Sequence, residues 1–431
     1  MRRGGGRQVE LAIETIGARG DGVGTLEGRP VFVPFTVPGD RVLARISGEH
    51  QGGFRAEAVE LLAEGPGRVP PPCPHFGVCG GCALQHLDEA QYVDWKQTLV
   101  ARALAQRGIL DIPVAPLRRV GQQTRRRMAL AAVKNGGRLR LGLHERASHA
   151  VVDIQTCLLV TPGVLALLPP LRAALNVLLA EGEKAEITVN ETDSGLDVLI
   201  LTRAVPALVA REALADLSQN ADLARLSWGR TPRPGDSLEP EPVAIRRPAT
   251  LAFGTVNVEP PPGGFLQPTA EGETLLVEAV LAGVPEGAAR VADLYAGCGT
   301  FTFPLVNRCR VHAVEGYDAA LAALWTAARR ADLAGRISVE ERDLARDPLE
   351  PEELNEFDAV VFDPPRTGAR EQATALAAST VPAVVAVSCN PATFARDARI
   401  LIDGGFALTE VVPVDQFPWS GHVELVGRFA R

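Results

Sequence analysis

Residues 293–301 read DLYAGCGTF, the end of an apolar strand that runs into a glycine-rich turn. Gly297 and Gly299 permit a tight turn and let a ligand approach the backbone closely. The GxGxxG spacing of a dinucleotide site is absent from this turn, which disfavours a ligand with a pyrophosphate. The turn therefore predicts the start of a nucleoside site at the carboxyl end of a buried strand.

Strand and helix patterns alternate around this turn, from about residue 270 to the end of the sequence. Apolar runs such as VHAVE, FDAVVFD and VPAVVAVS are separated by helical stretches, which predicts an α/β fold with a parallel, doubly wound sheet. Glu315 ends the second strand, 22 residues after Asp293, where an acid can accept hydrogen bonds from ribose hydroxyls, and Asp343 lies near the end of the third. This set fits a nucleoside such as S-adenosylmethionine.

The ends of the fourth and fifth strands also carry reactive or polar residues. FDPPRTG at 362–368 has Arg366 where amino-methylating enzymes hold an aromatic residue, which favours methylation of carbon, although two prolines also simply terminate a strand. In VSCNPATFARD at 387–397, Pro391 stops a buried strand and leaves Cys389 at its carboxyl end. The thiol is a candidate nucleophile, and the alternative is an inert buried cysteine.

The chain has 431 residues, with 46% hydrophobic and 22% charged residues, and its length favours about three globular domains. Short strands and turns over residues 1–64 predict a small β-barrel of the oligonucleotide-binding type. Residues 65–255 predict a central α+β domain that contains an amphipathic helix at 84–108. The alternating pattern assigns residues 256–431 to the α/β domain.

No membrane segment or secretory signal is predicted. The amino terminus, MRRGGGRQVE, has no apolar core. The apolar stretch 163–180 is interrupted by Pro169 and Pro170 and carries Arg172 and Asn176, so it predicts helices of a soluble protein. We expect a cytoplasmic protein with no membrane partner.

The charge is unevenly distributed along the chain. The formal net charge of −8 disfavours a nucleic-acid partner, yet residues 118–146 hold nine arginines and lysines against the single acid Glu145. Such a run is either a solvated face or a surface that binds phosphates, and arginine suits forked phosphate contacts. The segment is the candidate RNA contact of the central domain.

The motifs DLYAGCGTFTFPL, DPPRTG, VSCNPATFARD and QFPWSGHVE resemble, in this order, the signatures of the RNA uracil-5-methyltransferase family, and the amino-terminal segment resembles its TRAM domain. The resemblance implies a Rossmann-like class I methyltransferase domain in which Cys389 is the nucleophile and Glu424 the general base. It also implies a site for S-adenosylmethionine, formed by Gln267, Tyr295, Gly297, Thr300, Glu315, Asp343 and Asp363. Thr300 replaces a common asparagine, and FLQPT replaces the usual FxQxN.

The chemistry explains why a thiol and a carboxylate are needed. Carbon 5 of uracil is a weak nucleophile until a thiolate adds to carbon 6 and converts the ring to an enolate. A base must then remove the carbon-5 proton before the thiolate can leave. A thiol with an ordinary pKa of about 8.5 needs a favourable environment to ionise. The target uridine must also leave its base stack.

Four cysteines form a second candidate site. Cys73, Cys79 and Cys82 lie in CPHFGVCGGC, and Cys157 follows in DIQTCLL. Four thiolates suit either tetrahedral zinc or a 4Fe-4S cluster, and the family resemblance favours the cluster. Cys298 and Cys309 are predicted core residues.

The sequence leaves the substrate open. Large-subunit (23S) ribosomal RNA is favoured because the barrel and cysteines resemble that branch of the family, and transfer RNA is the alternative. A non-catalytic RNA-binding iron-sulfur protein is a further hypothesis. A cytosine-5-methyltransferase is disfavoured because Cys389 follows Ser388, where those enzymes have proline. The family is expected to act as monomers.

Overall fold

A computed structural model describes residues 7–50, 52–233 and 238–431 of the chain. Backbone contacts divide the protein into two units. The first comprises Met1–Leu99, His144–Val152 and Phe417–His422, and the second comprises Val100–Leu143, Asp153–Gln416 and Val423–Arg431. The domain boundaries at residues 64/65 and 255/256 stay a prediction.

The amino-terminal segment forms a twisted sheet, in agreement with its predicted short strands. Its inward-facing residues, among them Leu11, Val31 and Val33, build a small apolar core. Within the described residues six strands pair in the order β1-β5-β6-β4-β3-β2. Their bounds are β1 (Gln8–Ala12), β2 (Thr15–Ile16), β3 (Gly22–Leu26), β4 (Arg29–Val33), β5 (Arg41–His50) and β6 (Gly53–Ala63).

The helix predicted at 84–108 is shorter in the structure, where α1 spans Glu89–Ala105. Residues 84–88 form a turn instead, because Asp88 donates its backbone amide to the Gly67 carbonyl and its carboxylate accepts from the Gln91 amide. A side-chain acceptor of this kind starts a helix by satisfying an otherwise unpaired amide. Gly108 has a φ of 68°, which ends the segment as predicted.

The central part of the chain is α+β, as predicted. Its main sheet has the order β10-β9-β8-β11-β12-β13-β14 in the described residues. The elements are β7 (Arg118–Arg119), β8 (Arg127–Asn135), β9 (Arg138–His144), β10 (Val151–Asp153), α2 (Pro162–Leu178), β11 (Lys184–Thr192), β12 (Gly195–Thr202), α3 (Leu208–Asn220), β13 (Arg225–Arg230), β14 (Glu241–Ile245), β15 (Leu251–Phe253) and β16 (Val256–Val258).

Helix α2 corrects one expectation, because it runs without a break through Pro169 and Pro170. Each internal proline costs about 3 kcal/mol or more in a helix. The packing of buried residues such as Leu168 and Leu171 on both sides of the prolines offsets this cost. In the described part of the chain, no helix has both the length and the apolarity that crossing a membrane requires.

The last part of the chain forms the predicted doubly wound sheet. Its elements are α4 (Ala270–Gly283), β17 (Arg290–Leu294), α5 (Thr302–Val306), β18 (Arg310–Glu315), α6 (Asp318–Arg330), β19 (Ile337–Glu341), α7 (Pro351–Leu354), β20 (Ala359–Phe362), α8 (Arg370–Ala378), β21 (Ala383–Ser388), α9 (Pro391–Asp403), β22 (Ala407–Asp415) and β23 (Glu424–Ala430). The strand order is β19-β18-β17-β20-β21-β23-β22-β7.

The direction of the strands changes at one side of this sheet. β17, β18, β19, β20 and β21 are parallel to one another, as the alternating pattern predicts. β23 runs antiparallel to both β21 and β22. The start of β23 therefore lies at the same edge as the carboxyl ends of the parallel strands, where ligands bind in open α/β sheets.

Candidate active site

The pairing of β21 with β23 sets the predicted nucleophile beside the predicted base. Ser388 is the partner of Leu425, so one further step along the antiparallel ladder places Cys389 opposite Glu424. Asn390 caps α9 by accepting a hydrogen bond from the Ala392 amide, which turns the chain immediately after the cysteine. Two residues that lie 35 positions apart in the sequence are thereby neighbours at the strand edge.

The environment of Cys389 favours the thiol over the thiolate. Burial, the charge of Glu424 and the charge of Asp363 together raise its pKa to about 11, against the lowering effect of Arg366. The side chain is nevertheless partly exposed, unlike Cys298 and Cys309 in the core. Cys389 is thus accessible for chemistry but needs a further change in its surroundings before it ionises.

Amide side chains connect the carboxylates on either side of this thiol. Gln267 donates from Nε2 to Asp363 Oδ2 over 3.2 Å, and its Oε1 accepts from Gln416 Nε2 over 2.8 Å. Gln416 Nε2 also donates to Glu424 Oε1 over 3.3 Å. The network joins a predicted cofactor residue to the predicted base, and it includes Gln416, to which the sequence assigned no role.

Arg126 holds the backbone of Gln267 and Pro268, the loop that carries one amide of this network. Its Nε donates to the Gln267 carbonyl over 3.1 Å, and its guanidinium forms a buried ion pair with Glu273 of α4. The Arg126 amide donates to the Pro268 carbonyl. Arg126 therefore fixes the Gln267 loop and is not part of an RNA-binding face, which corrects the interpretation of residues 118–146 at this position.

The glycine turn after β17 contains backbone at positive φ, including one residue that is not glycine. Tyr295 has a φ of 60° and Gly297 a φ of 56°. Glu315 accepts hydrogen bonds from the amides of Gly297 (2.8 Å) and Tyr317 (2.8 Å), so the acid that ends β18 ties the turn to the next loop. Burial, and then nearby carboxylates including Asp343 and Glu315, raise the pKa of Tyr295. A non-glycine residue held at positive φ is typical of functional turns.

The remaining predicted cofactor residues lie along the same edge. Asp343 is exposed just after β19, and Thr300 is half-buried in the glycine turn. Below the turn, Asp293 is fully buried and accepts from Thr302 Oγ1 over 2.5 Å. Burial raises the pKa of Asp293 to about 7, and burial also raises that of Asp363 to about 7. The sequence did not predict this role of Thr302.

Other members of the basic segment are also paired. Arg118 forms an ion pair with Glu278, and β7, which contains it, joins the edge of the doubly wound sheet. Arg138 lies 3.6 Å from Asp153, and Arg146 pairs with Asp21. Much of the predicted excess of positive charge is therefore neutralised locally.

The predicted iron-sulfur ligands do not form a metal site in this structure. Cys73, Cys79, Cys82 and Cys157 are partly exposed and none is in a disulfide. Across residues 7–50, 52–233 and 238–431, no group of three or more His, Cys, Asp or Glu side chains is arranged to hold a metal ion. The 4Fe-4S cluster therefore stays a prediction.

The strand order and the thiol at the sheet edge define a class I methyltransferase, and comparisons with known proteins identify its family. The family model described as tRNA (Uracil-5-)-methyltransferase matches residues 255–429, and the TRAM domain model matches residues 2–59. An uncharacterized RNA methyltransferase of Brucella suis biovar 1 is 44% identical over 97% of this chain and 96% of its own.

Two better-described proteins also match nearly the whole chain. The 23S rRNA (uracil(1939)-C(5))-methyltransferase RlmD of Chromohalobacter salexigens is 34% identical over 96% of this chain and 87% of its own. A Pyrococcus abyssi tRNA (uracil-54, C5)-methyltransferase, solved with S-adenosyl-L-homocysteine, superimposes with a TM-score of 0.76 over 98% of this chain and 99% of its own. At 23% identity that likeness shows the fold.

The chain belongs to the RNA uracil-5-methyltransferase family, as its motifs predicted. It is an S-adenosylmethionine-dependent enzyme that methylates carbon 5 of uridine in RNA. The predicted α/β methyltransferase domain and the amino-terminal TRAM domain are both confirmed.

Proposed function

We propose that this enzyme methylates carbon 5 of one uridine in 23S ribosomal RNA, through a covalent bond between Cys389 and carbon 6 of the base. The observation that carries the proposal is the antiparallel register that sets Cys389 opposite Glu424 at the ligand-binding edge of the sheet. A nucleophile and a base on adjacent strands are what carbon-5 methylation of a pyrimidine requires.

The reaction follows from these two side chains. The Cys389 thiolate adds to carbon 6, which places the electron pair of the carbon 5–carbon 6 double bond at carbon 5. Carbon 5 then takes the methyl group from S-adenosylmethionine, which leaves as S-adenosylhomocysteine. The Glu424 carboxylate removes the carbon-5 proton, the double bond re-forms, and the bond between sulfur and carbon 6 breaks to release Cys389.

The methyl donor is assigned to the strand edge beside Cys389. The charge of Asp363 acts on the thiol, and Gln267 donates to Asp363. The other predicted residues, in the glycine turn and at the following strand ends, are Tyr295, Gly297, Thr300, Glu315 and Asp343. The carboxylate of Asp363 suits the cationic part of the donor, and that of Glu315 suits ribose hydroxyls.

A mechanism-based trap tests the catalytic assignment. RNA that contains 5-fluorouridine carries fluorine where Glu424 must remove a proton, so the covalent adduct cannot resolve. We expect wild-type enzyme and S-adenosylmethionine to give a denaturation-resistant adduct, and Cys389→Ala to give none. Cys309→Ala, which changes a buried core thiol outside the glycine turn, is the matched control and keeps the adduct. An adduct with Cys389→Ala would refute the role of this thiol.

The choice of RNA rests on relatives. The 34% identity to RlmD extends over 96% of this chain and supports 23S ribosomal RNA, at the uridine equivalent to 1939. The name of the family model supports transfer RNA as the second candidate. Mapping 5-methyluridine in both RNA pools of a deletion strain separates them, because only the true substrate loses the modification.

Three further parts of the proposal rest on the family resemblance. We keep the 4Fe-4S cluster on Cys73, Cys79, Cys82 and Cys157 as a proposal, although the placed side chains form no ligand set. Iron and acid-labile sulfide in anaerobically purified protein test it, while zinc without sulfide would identify the alternative metal. The enzyme is also proposed to act as a monomer and in the cytoplasm, where its RNA is found. Light scattering and cell fractionation test these two points.

A further inference from the structure

The amide of Gln416 has an unusual set of neighbours. The residue is 1% exposed and directly follows β22, two residues after Val414, which is the partner of Glu424 at the start of β23. Its Nε2 donates to two acceptors, Gln267 Oε1 and Glu424 Oε1. Its Oε1 is buried and has no hydrogen-bond partner among the described residues. A buried polar atom without a partner costs free energy, so this arrangement needs an explanation.

The neighbours determine which way the amide points. Gln267 has its own Nε2 committed to Asp363, so it presents an oxygen to Gln416. Glu424 presents a carboxylate oxygen. Turning the Gln416 amide around would place its oxygen against these two acceptors, which is worse than leaving Oε1 unpaired. Both N–H donors of Gln416 are thus directed at the catalytic side of the pocket.

The Gln416 Oε1 atom packs closely against Gly272, with no space for a side chain at that position. Oε1 faces Gly272 of α4, where a Cβ atom would lie 2.5 Å from Oε1 and 2.6 Å from Thr269 Oγ1. The Gly272 amide is already used as a donor to Thr269 Oγ1 over 2.9 Å. Only a glycine leaves room for the Gln416 side chain, and the helix offers Oε1 no donor in return.

We propose that Gln416 is a positioning residue that holds the Glu424 carboxylate for removal of the carbon-5 proton. The inference rests on the proposed function of Cys389 and Glu424 and adds a residue to it. Through Gln267, the same amide connects Glu424 to Asp363, so both carboxylates are held as hydrogen-bond acceptors by one chain of donors. Such linked hydrogen bonds strengthen one another in a buried site.

The inference predicts that loss of Gln416 slows removal of the carbon-5 proton and leaves thiolate addition and methyl transfer unchanged. Gln416→Met keeps an unbranched side chain of similar size and removes both donors. We expect its turnover on a 23S rRNA transcript to fall about 30-fold, a part of the 10²- to 10⁴-fold that general-base catalysis contributes. The KM for RNA is expected to change less than about threefold, because Gln416 is not proposed to contact RNA.

Two covalent species distinguish positioning from simple structural damage. With 5-fluorouridine RNA, which needs no proton removal, Gln416→Met is expected to form adduct at a rate close to that of wild type. With ordinary RNA and methyl-labelled S-adenosylmethionine, it is expected to accumulate a labelled, denaturation-resistant protein–RNA complex that wild type resolves. If Gln416→Met loses adduct formation and methylation of ordinary RNA to the same extent, the substitution damages the structure and the inference is overturned. The inference is also overturned if Gln416→Met turns over as fast as wild type.

Matched variants complete the experiment. Gly272→Ala keeps Gln416 in the sequence but puts a Cβ atom 2.5 Å from its Oε1, which should displace the amide from Glu424, and we expect the same accumulation of labelled complex. Gln372→Met is the control, because Gln372 is equally buried and its amide forms hydrogen bonds with the backbone of Leu349. If wild type gives neither product nor adduct, the proposed function fails. If wild type is active and the Gln416 and Gly272 variants match it, only the positioning role fails.

Discussion

Replacing Glu424 by glutamine should make Cys389 more reactive toward alkylating reagents, although it removes the proposed base. The Glu424 charge is the second-largest cause, after burial, of the raised pKa of the Cys389 thiol. Glutamine has nearly the same size and no charge, so the substitution removes the electrostatic cause and keeps the burial. The thiol pKa should therefore fall, and more thiolate should exist at a given pH.

The size of the effect follows from the pKa. The pKa of the Cys389 thiol is raised from 9.0 to about 11. At pH 8 a pKa of 11 leaves roughly one thiolate per thousand molecules, and each pH unit by which the pKa falls multiplies that fraction by about ten. Because burial is the leading cause and persists, we expect Glu424→Gln to lower the pKa by about half to one pH unit. Alkylation should then be roughly three to ten times faster.

The assay is alkylation by iodoacetamide at pH 8, followed peptide by peptide with mass spectrometry. An added peptide with one free cysteine serves as the reference in each sample. Glu278→Gln is the matched control, since that exposed carboxylate pairs with Arg118. The reasoning is refuted if Cys389 reacts no faster in Glu424→Gln than in wild type, or equally faster in Glu278→Gln.

Three other predictions concern buried charges. Arg126→Met leaves Glu273 buried without its partner, and should lower the free energy of unfolding in urea by about 3–5 kcal/mol; an unchanged midpoint would contradict this. Asp40, whose pKa is lowered although burial opposes this, pairs with Arg68. The Asp40 carboxylate contributes to folding stability above its pKa in the unfolded state, and this contribution is lost as pH falls through its pKa in the folded state. Asp40→Ala should therefore destabilise the protein more at pH 7 than at pH 3. Asp293 has a folded pKa of about 7 against 3.8 unfolded, so wild type loses stability as pH rises between these values. Asp293→Asn should therefore raise Tm more at pH 8 than at pH 5, and an equal gain at both would argue against a raised pKa.

Much of the methyltransferase sheet could be predicted from the sequence because its strands are continuous apolar runs. Buried parallel strands need such runs, and proline or glycine after each run marks the carboxyl end. Cys389 and Asp363 could therefore be placed at the ligand edge from local pattern alone. The position of Glu424 could not, because it depends on the antiparallel direction of β23 and on its register with β21, which no local pattern encodes.

Three errors have a common physical origin in tertiary contacts. Arg126 counts as surface charge in the sequence, but the structure buries it against Glu273. Pro169 and Pro170 predict a break in α2, but packing on both sides holds the helix together. Gln416 begins a recognised motif, yet its role depends on Gly272, which lies 144 positions earlier in the chain. In each case the deciding neighbour is distant in sequence.

The charges of two carboxylates act on the proposed nucleophile, and in the pocket without its ligands they oppose the first step of catalysis. Asp363 and Glu424 both raise the pKa of Cys389, so the unliganded enzyme keeps an unreactive thiol. If Asp363 receives the cationic methyl donor, as proposed, its charge is compensated and one of the two electrostatic causes is removed. Thiolate addition would then become favourable only when a methyl group is available. In this proposal Glu424 keeps its charge for removal of the carbon-5 proton, and Gln416, which donates to Glu424 and to Gln267, holds that carboxylate in position.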